Sequence, residues 1–157
     1  MNIYEFGVEY DKILILFHGA CMSWKWYEPS IKILKNYFHV IIPALPGHDL
    51  TNNSYFTSIE DVCRKMEEWL LQKGYQAIDI LYGLSAGGGL AIRMLSDSKL
   101  TIRNIVIDGG ITPYQLPYLI TRMLAVRDFL IIEIAKRSRK AITLAYSEEK
   151  YGKEAID

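Results

Sequence analysis

Apolar residues along this chain come in two rhythms. Short unbroken or loosely alternating runs have the length of buried strands: Ile13-Leu-Ile-Leu-Phe17, Phe38-His-Val-Ile-Ile42, Ala77 to Tyr82 and Ile102 to Ile107. Between them the spacing changes to that of helices. Ile59, Val62, Cys63, Met66 and Leu70 mark one helical face, with Thr57-Ser-Ile-Glu60 ahead of it as a capping box and Gly74 behind it as a stop. Pro29 to Tyr37 reads as a short helix with proline near its first turn, and Ala86 to Leu95 is helix-compatible. Ile3 to Glu9 alternates loosely and is expected to pair with the next strand as a hairpin. Strands that alternate with helices predict an α/β fold, a mostly parallel sheet with flanking helices and right-handed crossovers. No repeat, low-complexity tract or linker interrupts the pattern.

After Gly109-Gly110 the character changes. Pro113 and Pro117 punctuate a loop, and helical sequence follows to about Tyr146. Leu119, Met123, Val126 and Leu130 form a stripe, but Phe129-Leu-Ile-Ile132 makes the segment apolar on more than one side. Such a helix needs partners on several faces.

Two motifs carry chemistry. Gly83-Leu84-Ser85-Ala86-Gly87 is a G-x-S-x-G elbow with a strand leading in and a helix leading out. That turn strains the backbone at the serine and lifts its hydroxyl beyond the sheet edge, while the glycines let strand and helix approach. The run Ile13 to Phe17 ends in His18-Gly19-Ala20-Cys21. A tetrahedral intermediate of acyl transfer needs N–H donors at its oxyanion. One comes from the residue after the nucleophile and one from an HG-type loop after an early strand. Ser85 is thus the candidate nucleophile, with the Ala86 and Ala20 amides as candidate donors.

At these residues the chain resembles the α/β-hydrolase superfamily. The likeness runs through His18-Gly19, Ser23 and Trp26 before Pro29, Ala44-Leu-Pro-Gly-His48, the elbow, and Ile105-Val-Ile-Asp108. Relatives usually carry Asp where Ala44 stands and Gly where Asp49 stands. The resemblance implies serine-type hydrolysis of an ester, amide or thioester, and hence a small-molecule acyl substrate. It also implies that residues 1–112 are the core and 113–157 a helical cap-like segment of the same domain, covering the pocket.

The resemblance also defines what is missing. The family triad runs Ser, then Asp or Glu, then His. The three histidines, His18, His39 and His48, all precede Ser85. Without a base a serine hydroxyl near its free pKa is a poor nucleophile. His48, in the loop after a strand, and Asp108, at a strand end, are the fallback acid/base candidates. His48 more simply orders its loop, and Asp108 more simply caps a turn. His18 is expected to fix the oxyanion loop, and His39 to be structural. At 157 residues the chain is short for the superfamily. An early stop, a designed fragment or one half of a split enzyme would each account for that. The expected activity is accordingly weak or nil for the chain alone. A non-catalytic binding module and a composite hydrolase with a base from another chain are the alternatives.

Composition narrows the partners. Lys plus Arg and Asp plus Glu are 18 each, so no net field points to nucleic acid or an acidic membrane. The run Lys136-Arg-Ser-Arg-Lys140 reads as a solvated helix end. Two cysteines, Cys21 and Cys63, give no disulfide framework and fit a reducing, cytoplasmic setting. No cluster has metal-ligand spacing, so no metal or organic cofactor is expected. No run has the apolar length of a membrane span. An edge strand at Ile102 to Ile107 and the apolar helix after it predict a homo-oligomer, most simply a dimer.

Overall fold

A computed structural model describes residues 1–49, 51, 53–110, 117–138 and 140. The chain divides into two compact units, Met1–Pro113 and Tyr114–Asp157. The described residues of the first form a five-stranded sheet with flanking helices. Its strands are β1 (Ile3–Phe6), β2 (Ile13–Phe17), β3 (His39–Pro43), β4 (Ala77–Leu84) and β5 (Thr101–Asp108). They lie in the order β1-β3-β2-β4-β5, all parallel except β1. A 3₁₀ turn (Trp24–Tyr27) leads into α1 (Glu28–Leu34), and α2 (Ile59–Gln72) and α3 (Ala86–Asp97) complete the layers.

The N-terminal hairpin expected from the alternation of Ile3 to Glu9 is not formed. β1 pairs antiparallel with β3 instead, Tyr4 opposite Ile42 and Phe6 opposite Val40. The reason lies in β2. All five of its residues are buried, and both its edges are taken by parallel neighbours, β3 and β4. A continuous apolar run belongs in the middle of a parallel sheet. The half-buried β1 is left with the open edge of β3.

Strand alternation divides the core in two. Ile13, Ile15 and Phe17 of β2 face Val62, Met66 and Leu70 of α2 and Leu90 and Met94 of α3. Leu14 and Leu16 face Tyr27 and Ile31 on the other side. The helix over 59–72 follows the predicted spacing, with one correction at its start. Ser58, not Thr57, is the N-cap, its Oγ accepting from the Asp61 N–H at 3.1 Å. Thr57 lies outside the helix, where its hydroxyl donates to the Asp61 carboxylate. The helix stops as predicted, with Gly74 at φ +85° just past the cap residue Lys73.

In the second unit, α4 (Tyr118–Arg137) starts directly after Pro117, whose carbonyl accepts from the Thr121 N–H at 3.1 Å. Pro113 and the expected continuation of helix to Tyr146 lie outside the described residues, Ser138 and Lys140 excepted.

Candidate active site

Ser85 sits between the last residue of β4 and the first of α3, at φ 51° and ψ −113°. A side-chain-bearing residue adopts such a backbone only when its surroundings impose it, at a cost of about 1–3 kcal/mol. Here both of its peptide groups are held. The Ser85 N–H donates to the Asp108 carbonyl at 2.8 Å, and its carbonyl accepts from the Gly88 N–H at 2.9 Å. The end of β5 and the first turn of α3 therefore clamp the serine from two sides.

The two motif glycines are there because nothing larger fits. A Cβ on Gly83 would collide with the Gly87 carbonyl, and one on Gly87 with the Phe17 carbonyl. β4 runs directly under α3, and α3 under the end of β2. The same closeness brings the loop after β2 to the serine: a Cβ on Gly19 would lie 3.5 Å from the Ser85 Cβ.

His18 fixes that loop. It is fully buried, and its Nε2 accepts from the Leu45 N–H at 3.0 Å. That leaves the proton on Nδ1, which donates to the Gly19 carbonyl at 2.9 Å. Burial is the main reason its pKa falls to about 4; the Gly19 carbonyl works against the fall, and nearby His48 adds to it slightly. A neutral imidazole thus ties the loop after β2 to the loop after β3. Cys21, at φ 59°, completes the tight turn that follows.

Ala20, Ala86 and His48 all line one cavity of about 690 Å³. Ala86 is the first residue of α3, where the amide has no partner within the helix. The His48 ring lies 5.5 Å from that of His18, edge to face, and its Nδ1 is 3.0 Å from the Pro46 carbonyl. A carbonyl only accepts, so Nδ1 carries a proton. In the neutral ring the basic nitrogen is then Nε2.

Asp108 is arranged differently. Its carboxylate accepts from the Tyr82 hydroxyl at 2.8 Å, while its backbone carbonyl serves Ser85. Burial first, and then that hydrogen bond and the carboxylate charge, push the Tyr82 hydroxyl up to about 12. Tyr82 therefore stays a donor at neutral pH, and the structure brings no histidine to Asp108. Tyr82 is the residue that motif reading missed. Its only signal was its place on β4, three residues before the serine. Leu45 was missed as well, because it acts through its backbone. His39 lies apart, its Nε2 3.1 Å from the Glu5 carboxylate on β1.

Among the described residues, no group of three or more His, Cys, Asp or Glu side chains could hold a metal ion, and no helix is long and apolar enough to cross a membrane.

A strained serine at a strand–helix turn, glycines packed to backbone contact, and an HG loop beside it describe one known architecture. The model of the Alpha/beta hydrolase family matches residues 14–152. The chain belongs to that family. Among solved structures, this α/β-hydrolase is 27% identical to a putative family member from Desulfitobacterium hafniense, over 70% of this chain and 44% of that one, with a TM-score of 0.67. It also resembles serine hydrolase CCSP0084 from Cycloclasticus zankles, at 20% identity over 73% of this chain and 43% of that one, with a TM-score of 0.63. A carboxylesterase of the ammonia-oxidizing thaumarchaeon Nitrososphaera gargenis matches at 18% identity over 90% of this chain and 52% of that one, with a TM-score of 0.71. At such identities the last two show likeness of fold alone. The chain spans about half the length of these α/β-hydrolases.

Proposed function

We propose that this chain supplies the nucleophile and the oxyanion site of a serine hydrolase acting on a carboxylic ester or related acyl compound. Ser85 is the nucleophile, and the Ala20 and Ala86 amides are the oxyanion donors. The observation that carries the reading is the backbone of Ser85 at φ 51°, held from both sides beside the loop that contains Ala20. No histidine follows Ser85 in the 157 residues, so the chain alone is weakly active or inactive. Non-catalytic binding in the same cavity, or a base supplied by another chain, are the functions left to it if no turnover occurs.

A second reading gives His48 the role of base. It lines the same cavity as the two donors, with a proton on Nδ1 and the basic lone pair on Nε2. Asp108, occupied by Tyr82, is the weaker candidate. Two free cysteines fit a reducing cytoplasmic setting. β5 has β4 as its only described neighbour and exposes Val106 and Ile107, which favours a homodimer.

Steady-state hydrolysis of an activated aryl ester by the 157-residue chain tests the assignment. The expected rate is no more than the residual of about 10³–10⁴ over water left to a site without its base. Ordinary enzyme turnover that Ser85→Ala abolishes and His48→Ala spares would overturn the assignment of a missing base. If His48→Ala also abolished it, His48 would be the base.

A further inference from the structure

The cavity at the oxyanion donors continues well beyond them, and its walls change character with distance. Near the mouth stand Ala20, Ala86 and His48. Further in, Leu45 and Phe56 close one side, Ile59 of α2 a second, and Leu90 and Ile92 of α3 the third. Only at the level of Arg93 do charged groups appear, with Glu60 facing from α2 and Ser96 beyond. The two helices run in the same direction, so this is a true axial order. Cys63 Sγ meets the Leu90 carbonyl at 3.5 Å, and Ser98 Oγ donates to Glu67 at 3.0 Å further along. Arg93 is fixed there by an ion pair with Asp97 at 2.7 Å, and a smaller groove lined by Glu60, Arg93 and Asp97 continues past it.

We infer that this groove between α2 and α3 is an acyl-chain site, selective for a straight, medium-length aliphatic acyl group whose carbonyl lies at the Ala20 and Ala86 amides. From Ala86 to Arg93 is seven residues of helix, about 10 Å. An extended alkyl chain of octanoyl size fits that length. A volume of about 690 Å³ lies in the range that encloses a whole small ligand. The charged end sets the upper limit. A longer chain would have to push apolar carbon against Glu60 and the Arg93–Asp97 pair and strip their water. A much shorter one would leave the Ile59 and Ile92 walls wet. The inference rests on the assignment of the Ala20 and Ala86 amides as oxyanion donors.

The test is equilibrium binding, read by amide chemical shifts, of butyrate, hexanoate, octanoate and dodecanoate to the 157-residue chain, with n-octanol as the uncharged control. Affinity is expected to rise about fourfold per methylene up to octanoate, from the transfer value of a buried CH₂, and then to stop rising. Octanoate should perturb the Ala20 and Ala86 amides and bind better than n-octanol. Ile59→Trp and Ile92→Trp, which fill the groove from opposite sides, should weaken octanoate about tenfold and leave butyrate nearly unchanged. A flat chain-length series, or one that keeps rising through dodecanoate, overturns the inference; neither reading depends on a variant folding. A series with the expected cutoff but equal affinity for octanoate and n-octanol would leave the acyl site standing and overturn the oxyanion assignment.

Discussion

Acidification should loosen this fold through His18 in particular, and the size of the effect follows from the site. In the folded chain its Nε2 accepts from the Leu45 N–H inside a fully buried pocket. A protonated ring can no longer accept that bond. Its pKa is accordingly about 4 in the fold, against 6.5 for an unperturbed histidine. The unfolded chain therefore takes up the proton first as pH falls. Stability from this group is complete above pH 6.5 and is lost as pH drops toward 4. The loss amounts to about 2 kcal/mol at pH 5 and about 3 kcal/mol at pH 4. Urea unfolding, followed by tryptophan fluorescence between pH 7.5 and 4.5, measures it against His18→Asn, which has no proton to gain. Carboxylates and the other histidines cancel in the difference between the two proteins. The stability gap should be widest near neutrality and should shrink on acidification by the amounts given. A gap constant across that pH range would show that His18 is not held neutral, and the link between the two loops would have to be abandoned.

Three further outcomes follow from the same contacts. Gly87→Ala places a methyl group against the Phe17 carbonyl and 2.8 Å from that of His18, both main chain of the loop-bearing strand β2 and its end; it should cost about 3 kcal/mol or more in urea unfolding. Ser85→Gly removes the penalty of φ 51° and should stabilise the chain by about 1 kcal/mol, a gain measurable as a raised urea midpoint. Ser58→Ala should cost about 1 kcal/mol and Thr57→Ala less than about half of that, since only Ser58 caps α2; the reverse order in thermal melts would restore Thr57 as the cap.

Much of the architecture was legible because it depends on local pattern. The apolar run Ile13 to Phe17 declared itself a central strand, and its neighbours are the parallel strands that such burial demands. The elbow was legible as well, since glycine at 83 and 87 is enforced by main-chain contact. Two kinds of feature were not. The partner of β1 depends on which sheet edge remains open, a property of the assembled sheet that the residues of Ile3–Phe6 do not encode. Tyr82 and Leu45 act on groups 26 and 27 residues away. Neither belongs to a motif, and Leu45 uses only its amide, so no side-chain pattern could mark it. The capping error was of a third kind: Thr57 and Ser58 are both good caps, and the choice fell to the one in register with the helix. The acyl groove was hidden because its walls come from two helices and a loop, each of which reads alone as ordinary core.

The central claim is a strained nucleophile with its oxyanion donors in place and its base missing, and chemical rescue tests it most directly. Imidazole added to the 157-residue chain can take the serine proton where no histidine follows Ser85 in sequence. Release of p-nitrophenol from p-nitrophenyl octanoate would be followed against imidazole concentration, for the wild-type chain and for Ser85→Ala. The account predicts an imidazole-dependent increment in the wild-type chain that saturates and that Ser85→Ala lacks. Identical imidazole responses in the two proteins would contradict it, and so would full enzymatic turnover with no imidazole present.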